Sequence, residues 1–160
     1  MSSPRPREDA RRRQERPHVL IISDDQSLST FLGEGLVMGG FWTSVISHGL
    51  QVLEVFRLRQ FDLVVLDFEL GNFDALELLH RLRGVSVEPS ESTPRTNAPV
   101  VIMSSVNVPL SHHERQTLGI PAVLQAPVEL EEVVKTLHRA FSTWREDHPD
   151  ALLADESPDG

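Results

Sequence analysis

Short apolar runs alternate with amphipathic stretches along most of this chain, and that alternation constrains the fold more than any other feature. His18–Ile22, Leu63–Leu66 and Val100–Met103 are continuous apolar segments rich in β-branched residues, as expected of strands buried on both faces. Phe41–Ser47 is half polar and suits a sheet edge, and Ala122–Gln125 is a short fifth strand. Helical spacing fills the intervals. Leu28, Phe31, Leu36 and Val37 mark a first helix ending near Gly39–Gly40. Leu50–Leu58 and Ala75–Leu82 follow, the latter with Leu76, Leu79 and Leu82 on one side, and Leu110–Leu118 gives a weaker, polar helix. Leu130, Val133, Val134, Leu137, Phe141 and Trp144 form the clearest stripe, a last helix. Five βα units joined by short loops predict an α/β doubly wound parallel sheet with right-handed crossovers and helices on both faces.

Charge and composition set the boundaries. Residues 1–16 carry six Arg against three acids and read as a disordered basic arm without the apolar core of a signal peptide. Residues 17–145 are the folded domain, with loop chemistry at Glu88–Asn97, and 146–160 read as a disordered acidic tail. Of the 160 residues, 39% are hydrophobic, enough for a sizeable core, and no run approaches the roughly 18–20 apolar residues of a membrane span. The net charge of −9 argues against broad nucleic-acid binding. The absence of Cys removes thiol catalysis and Cys-ligated metal sites and fits a cytoplasmic location. Few residues follow the last helix, which leads us to expect a single-domain protein without a DNA-binding output domain.

In a sheet of this kind, ligands bind at the carboxyl ends of the strands. Strand one ends in Ser23-Asp24-Asp25, strand three in Asp67, strand four in Ser104-Ser105 and strand five in Gln125-Ala126-Pro127. Converging carboxylates repel unless a cation joins them, and a hard divalent ion such as Mg²⁺ suits oxygen ligands. A carboxylate beside Mg²⁺ can attack a phosphoryl group and form an acyl phosphate. An Asp after a strand also serves as a helix cap, and Asp25 stands where the helix from Gln26 begins. Gly33 and Gly35 have the wrong spacing for a phosphate loop and instead suit close helix packing. His112 and His113 point about 100° apart on a helix and cannot chelate one metal together. Trp42 and Trp144 read as packing residues.

These segments carry a resemblance. FDLVVLDFELGNFDALELLHRLR (Phe61–Arg83), Gly40-Phe41, Ala98–Ser105 and Pro127–Val133 resemble the receiver domain of two-component response regulators, over about residues 18–144. The resemblance implies a flavodoxin-like sheet with strand order 2-1-3-4-5. It implies that Asp67 is the phosphoacceptor, that Ser104 contacts the phosphoryl group, and that Ser105 occupies a position kept small for phosphate entry. Asp24, Asp67 and the backbone carbonyl of Glu69 would hold Mg²⁺, with Asp25 as a further candidate. A gap-free alignment puts Ser23 and Asp24 at the family's acid pair, so one metal-shell acid is replaced by Ser23. Ala126 replaces the Lys that bridges acceptor and phosphoryl oxygens, and Val123 replaces the switch aromatic. The sole Lys of the chain, Lys135, lies in the last helix and is a poor substitute.

The resemblance implies a non-enzymatic signalling protein, at most phosphorylating itself from a donor. Its partners would be a histidine kinase or phosphotransfer protein and a downstream protein docking on the fourth helix, fifth strand and fifth helix, with a homodimer left open and no role for nucleic acid or membrane. Ser23, Val123 and Ala126 raise an alternative, a pseudo-receiver that binds partners without phosphorylation. A third reading, an Asp-nucleophile phosphatase of the haloacid-dehalogenase type, lacks the nucleophile on strand one and the later Lys.

Overall fold

The computed structural model describes residues 16–85 and 94–151. Most of the basic arm, of the Glu88–Asn97 loop and of the acidic tail lies outside these residues. Strands β1 (His18–Ile22), β2 (Trp42–Ile46), β3 (Leu63–Asp67), β4 (Val100–Ser104) and β5 (Ala122–Gln125) alternate with helices α1 (Gln26–Met38), α2 (Gly49–Leu58), α3 (Ala75–Leu82), α4 (His112–Thr117) and α5 (Leu130–Asp147). The sheet is parallel throughout, in the order β2-β1-β3-β4-β5. This is the flavodoxin-like arrangement, with the expected edge strand β2 and central strand β3.

Alternate residues of each buried strand feed two cores, because strand side chains alternate between the faces. Val19, Ile21, Leu63, Val65, Val101 and Met103 pack with Leu32 and Leu36 of α1 and Val133 and Leu137 of α5. Leu20, Ile22, Val64, Leu66 and Ile102 pack on the other face with Val52, Leu53 and Phe56 of α2 and Leu78, Leu79 and Leu82 of α3. Three of the five helix starts, those of α1, α3 and α4, are capped by side chains. Asp25 accepts from Leu28 N, Asp74 accepts from Glu77 N, and Ser111 forms a reciprocal capping box with Glu114.

Three local expectations need correction. Phe31 does not join the buried stripe of α1: it is 43% exposed, and Val37 is also exposed. The buried face runs through Leu32, Gly35 and Leu36, one position further round the helix. The Ser111 cap fixes the start of α4, so that helix begins at His112 rather than Leu110. Helix α5 continues to Asp147, so the first two residues read as tail are helical. The reading of the α1 glycines as close-approach sites holds at Gly35, where an added Cβ would lie 2.6 Å from Leu130 of α5. Trp42 packs beneath the Arg16 guanidinium, 4.6 Å above its ring, and Trp144 Nε1 donates to Asn97 O at 3.1 Å.

At the amino end of the sheet, His18 is buried against Phe61, and its Nε2 lies 2.7 Å from Ser44 Oγ. Its Nδ1 is buried without a hydrogen-bond partner, so charging the ring would bury an unpaired donor. Burial first, and the Arg59 charge second, push the His18 pKa down to about 4 from 6.5. The folded state thus resists protonation that the unfolded chain accepts. The associated stability is present above pH 6.5 and is lost as pH falls toward 4, up to about 3 kcal/mol. Urea midpoints should fall across that window, and His18→Gln should flatten this part of the profile. A wild-type midpoint constant from pH 6.5 to 4.5 would contradict this.

Candidate functional site

Strand register builds the site. Ile22 pairs with Leu66, so the next residues, Ser23 and Asp67, emerge side by side at the carboxyl end of the sheet. Asp67 pairs with Met103 of β4, which places Ser104 one residue beyond. Ser23 is 1% exposed, Asp67 8% and Ser104 2%. The Ser23 hydroxyl donates to Asp67 Oδ2 at 2.7 Å and accepts from Asp25 N at 3.1 Å. Glu69 N donates to the other acceptor oxygen, Oδ1, at 2.9 Å. Both oxygens of Asp67 are therefore oriented, and each keeps a further lone pair.

The neighbouring acids have different surroundings. Asp24 is exposed, and its Oδ2 accepts from Gly71 N at 2.9 Å in the loop after β3. Asp25 is also exposed and serves as the N-cap of α1, with Oδ1 3.1 Å from Leu28 N. Ser23 points at Asp67, while Asp24 reaches the β3–α3 loop. Asp67 and the exposed Asp24 thus stand at the ends of two adjacent strands, with the Glu69 carbonyl two residues past Asp67. No group of three or more His, Asp or Glu among the described residues is arranged to hold a metal ion. Mg²⁺ keeps several waters and is commonly bound through one or two carboxylates, so this all-oxygen donor set fits it with fewer charges than a three-acid shell.

The strand-four end holds a contact that sequence reading missed. The Glu69 carboxylate is clamped on Ser105: Oε1 accepts from Ser105 N at 2.5 Å, and the Ser105 hydroxyl lies 2.9 Å from Oε1 and 2.8 Å from Oε2. The Ser105 backbone and hydroxyl donors hold Glu69 below the usual carboxylate range. The Ser104 hydroxyl donates to Val106 O at 2.8 Å and is 3.4 Å from Glu69 Oε1. A Glu two residues after an acid at one strand end, facing a Ser-Ser pair at the next, was the available signal.

Gln125-Ala126-Pro127 stand at the strand-five end. Ala126 is exposed, and its N–H donates to Ser104 O at 2.8 Å. Val123 is half-buried and packs against the α2–α3 core. Lys135 sits on α5 beside Glu131, 3.8 Å away. His112 and His113 are exposed at the start of α4.

Comparison with known proteins agrees with this architecture. The family model described as the response regulator receiver domain matches residues 19–138. The transcriptional regulatory protein ZraR of Klebsiella oxytoca is 28% identical over 131 residues, covering 82% of this chain and 28% of that protein. Sporulation initiation phosphotransferase F of Bacillus subtilis (strain 168) is 25% identical over 115 residues, 72% of this chain and 86% of that protein. The chain thus nearly fills one relative and spans about a quarter of the other. Among solved structures, the receiver domain of Francisella response regulator 1452 superposes with a TM-score of 0.65 at 23% identity, covering 80% of this chain and 98% of that one. Chemotaxis response regulator CheY4 of Vibrio cholerae gives 0.63 at 20% identity, covering 78% and 98%. Among the described residues, no helix is long and apolar enough to cross a membrane.

Proposed function

This chain belongs to the response regulator receiver domain family of two-component signalling, and from that premise we propose that Asp67 accepts a phosphoryl group and that the charged domain signals through protein contacts. The observation that carries the reading is the Asp67 carboxylate at the end of β3, almost buried and held from both sides by the Ser23 hydroxyl and Glu69 N–H. Those two bonds fix the carboxylate plane and leave a lone pair on each oxygen for attack. With acetyl phosphate as donor, one Asp67 oxygen forms a new bond to phosphorus. The bond from phosphorus to the donor's acyl oxygen breaks, and acetate leaves with that electron pair. Asp24, Asp67 and the carbonyl of Glu69 would hold Mg²⁺, which would supply charge screening between the acceptor and the incoming phosphoryl oxygens. Ser104 sits within reach of the same strand end, and its hydroxyl can rotate from Val106 O to a phosphoryl oxygen.

The donor in the cell would be a phosphohistidine of a kinase or phosphotransfer protein. Output would pass through α4, β5 and α5 to a downstream protein. Ala126 offers no charge to tie a phosphoryl group to β5, and Val123 offers no aromatic to reorient. Coupling to that face therefore runs through the β4–α4 loop, where Ser104 and Ser105 lie.

Intact mass after incubation with acetyl phosphate and Mg²⁺ tests the acceptor. The wild-type chain should gain one phosphoryl group, Asp67→Asn should gain none, and chelation of Mg²⁺ should suppress the gain. An unchanged mass, or equal modification of Asp67→Asn, would overturn the proposal in favour of a partner-binding domain that works without phosphorylation.

A further inference from the structure

The donors at the end of β4 are already in use. Glu69 spans the gap between two strands: its N–H bonds Asp67 on β3, and its carboxylate takes the N–H and hydroxyl of Ser105 beyond β4. Its nearer oxygen is also 3.4 Å from the Ser104 hydroxyl. This is a carboxylate received by a small nest of oxyanion donors, the kind of donors a phosphoryl oxygen would need. Glu69 is an exposed residue whose carboxylate could instead be hydrated, yet it makes these charge-assisted bonds. No Lys stands at position 126 to offset a second anion entering the same space.

We propose that the Glu69 carboxylate is an internal anion that occupies the Ser105 donors beside Ser104 and must swing out before a phosphoryl group can be seated on Asp67, so that Glu69 limits how fast the domain is charged. The inference rests on Asp67 as acceptor and adds a competitor for the phosphoryl site within the same loop. A site open for only a fraction of the time reacts in proportion to that fraction. Glu69 is thus a gating residue and takes no part in bond making: in the open state the Asp67 oxygen attacks phosphorus and the leaving group departs as before. The swing leaves the Glu69 backbone in place, so its N–H continues to orient Asp67.

The test combines one rate with one spectroscopic signature on the full chain. Phosphorylation by acetyl phosphate is followed by intact mass for wild type, Glu69→Gln and Glu69→Ala, with Asp67→Asn as the blank. The second-order rate constant should rise about tenfold in Glu69→Ala and by less in Glu69→Gln, which keeps an acceptor oxygen but loses the charge. In amide NMR spectra without donor, the Ser105 proton should resonate downfield in wild type and move upfield in Glu69→Ala, with the remaining strand signals unmoved. A shifted Ser105 proton with an unchanged rate overturns the gating role. An unshifted proton overturns the contact itself while leaving the acceptor open to its own test. If no variant gains a phosphoryl group although the Ser105 proton shifts, the acceptor reading fails and the gating role fails with it.

Discussion

Arg83→Ala should be the most destabilising single substitution outside the hydrophobic core, at about 3–4 kcal/mol. Arg83 caps the end of α3 and turns its guanidinium inward, where burial lowers its pKa to about 10 and leaves it charged at neutral pH. Its five N–H groups form a hub. Nε donates to Leu118 O at 2.7 Å, Nη1 to Thr96 O at 2.8 Å, and Nη2 to Ala98 O at 2.5 Å and Gly119 O at 3.3 Å. One side chain thereby ties the end of α3 to the segment entering β4 and to the turn between α4 and β5. Truncation removes a donor from four carbonyls; Gly119 O keeps Val100 N at 3.1 Å, and solvent can rescue only some of the other three. Urea unfolding should show a lower midpoint with an unchanged slope, and the melting temperature should fall by about 10 °C. Arg83→Lys should recover less than half of the loss, because one ammonium cannot match a planar fork of donors. The phosphorylation proposed for Asp67 should be unaffected below the melting transition, since the hub lies at the amino end of β4 and Asp67 beside its carboxyl end. A loss under 1 kcal/mol for Arg83→Ala would refute the account.

Arg83 also marks the limit of what the sequence could reveal. A cation at a helix end is locally sensible, because it meets unpaired carbonyls and the negative end of the dipole. Nothing local says that its partners are residues 96, 98, 118 and 119, since those contacts exist only once the crossovers close. The strands were legible because burial on both faces leaves an unbroken apolar run, as in Leu63–Leu66. Helix α5 was legible for the complementary reason, a sustained stripe through Leu130, Val133, Leu137 and Phe141. Helix α1 was legible as a helix, but its buried face was misread by one position. Phe31 is the largest apolar side chain there, yet the face against the sheet needs small residues where α5 crosses, and Gly35 provides one.

The strand ends around Asp67 were legible to the same depth. Strand periodicity and the carboxyl-end rule located Ser23, Asp24, Asp67 and Ser104 before any contact was known, and register then set Ser23 against Asp67. Asp25 does cap α1, its carboxylate meeting Leu28 N. The Glu69–Ser105 clamp escaped because resemblance directs attention to the Glu69 carbonyl, whereas the structure shows what its side chain does.

Ser23→Asp should lower the stability of the domain and make the loss recoverable by Mg²⁺. In the native chain the Ser23 hydroxyl donates to Asp67 Oδ2 at 2.7 Å in a pocket where both residues are nearly sealed from solvent. A carboxylate there cannot donate and brings a second negative charge beside the first. Two carboxylates about 3 Å apart cannot both ionise freely, so without a cation the variant should lose about 2–3 kcal/mol. A divalent ion removes that penalty and gains a ligand at once. Mg²⁺ affinity should therefore rise at least about tenfold, and millimolar Mg²⁺ should restore most of the lost melting temperature by mass action. Ser23→Ala separates charge from packing. It leaves Asp67 Oδ2 and Asp25 N without their shared partner, should cost about 1 kcal/mol, and should not raise Mg²⁺ affinity. Calorimetric titration with Mg²⁺ and melting in chelator against Mg²⁺ read all three chains. Equal Mg²⁺-induced shifts in wild type and Ser23→Asp would sink the argument, as would a Ser23→Asp variant as stable as wild type in chelator. The expected pattern would identify Ser23 as the residue that exchanges metal affinity for stability of the metal-free domain, since its hydroxyl donates to Asp67 where a second Asp would repel it.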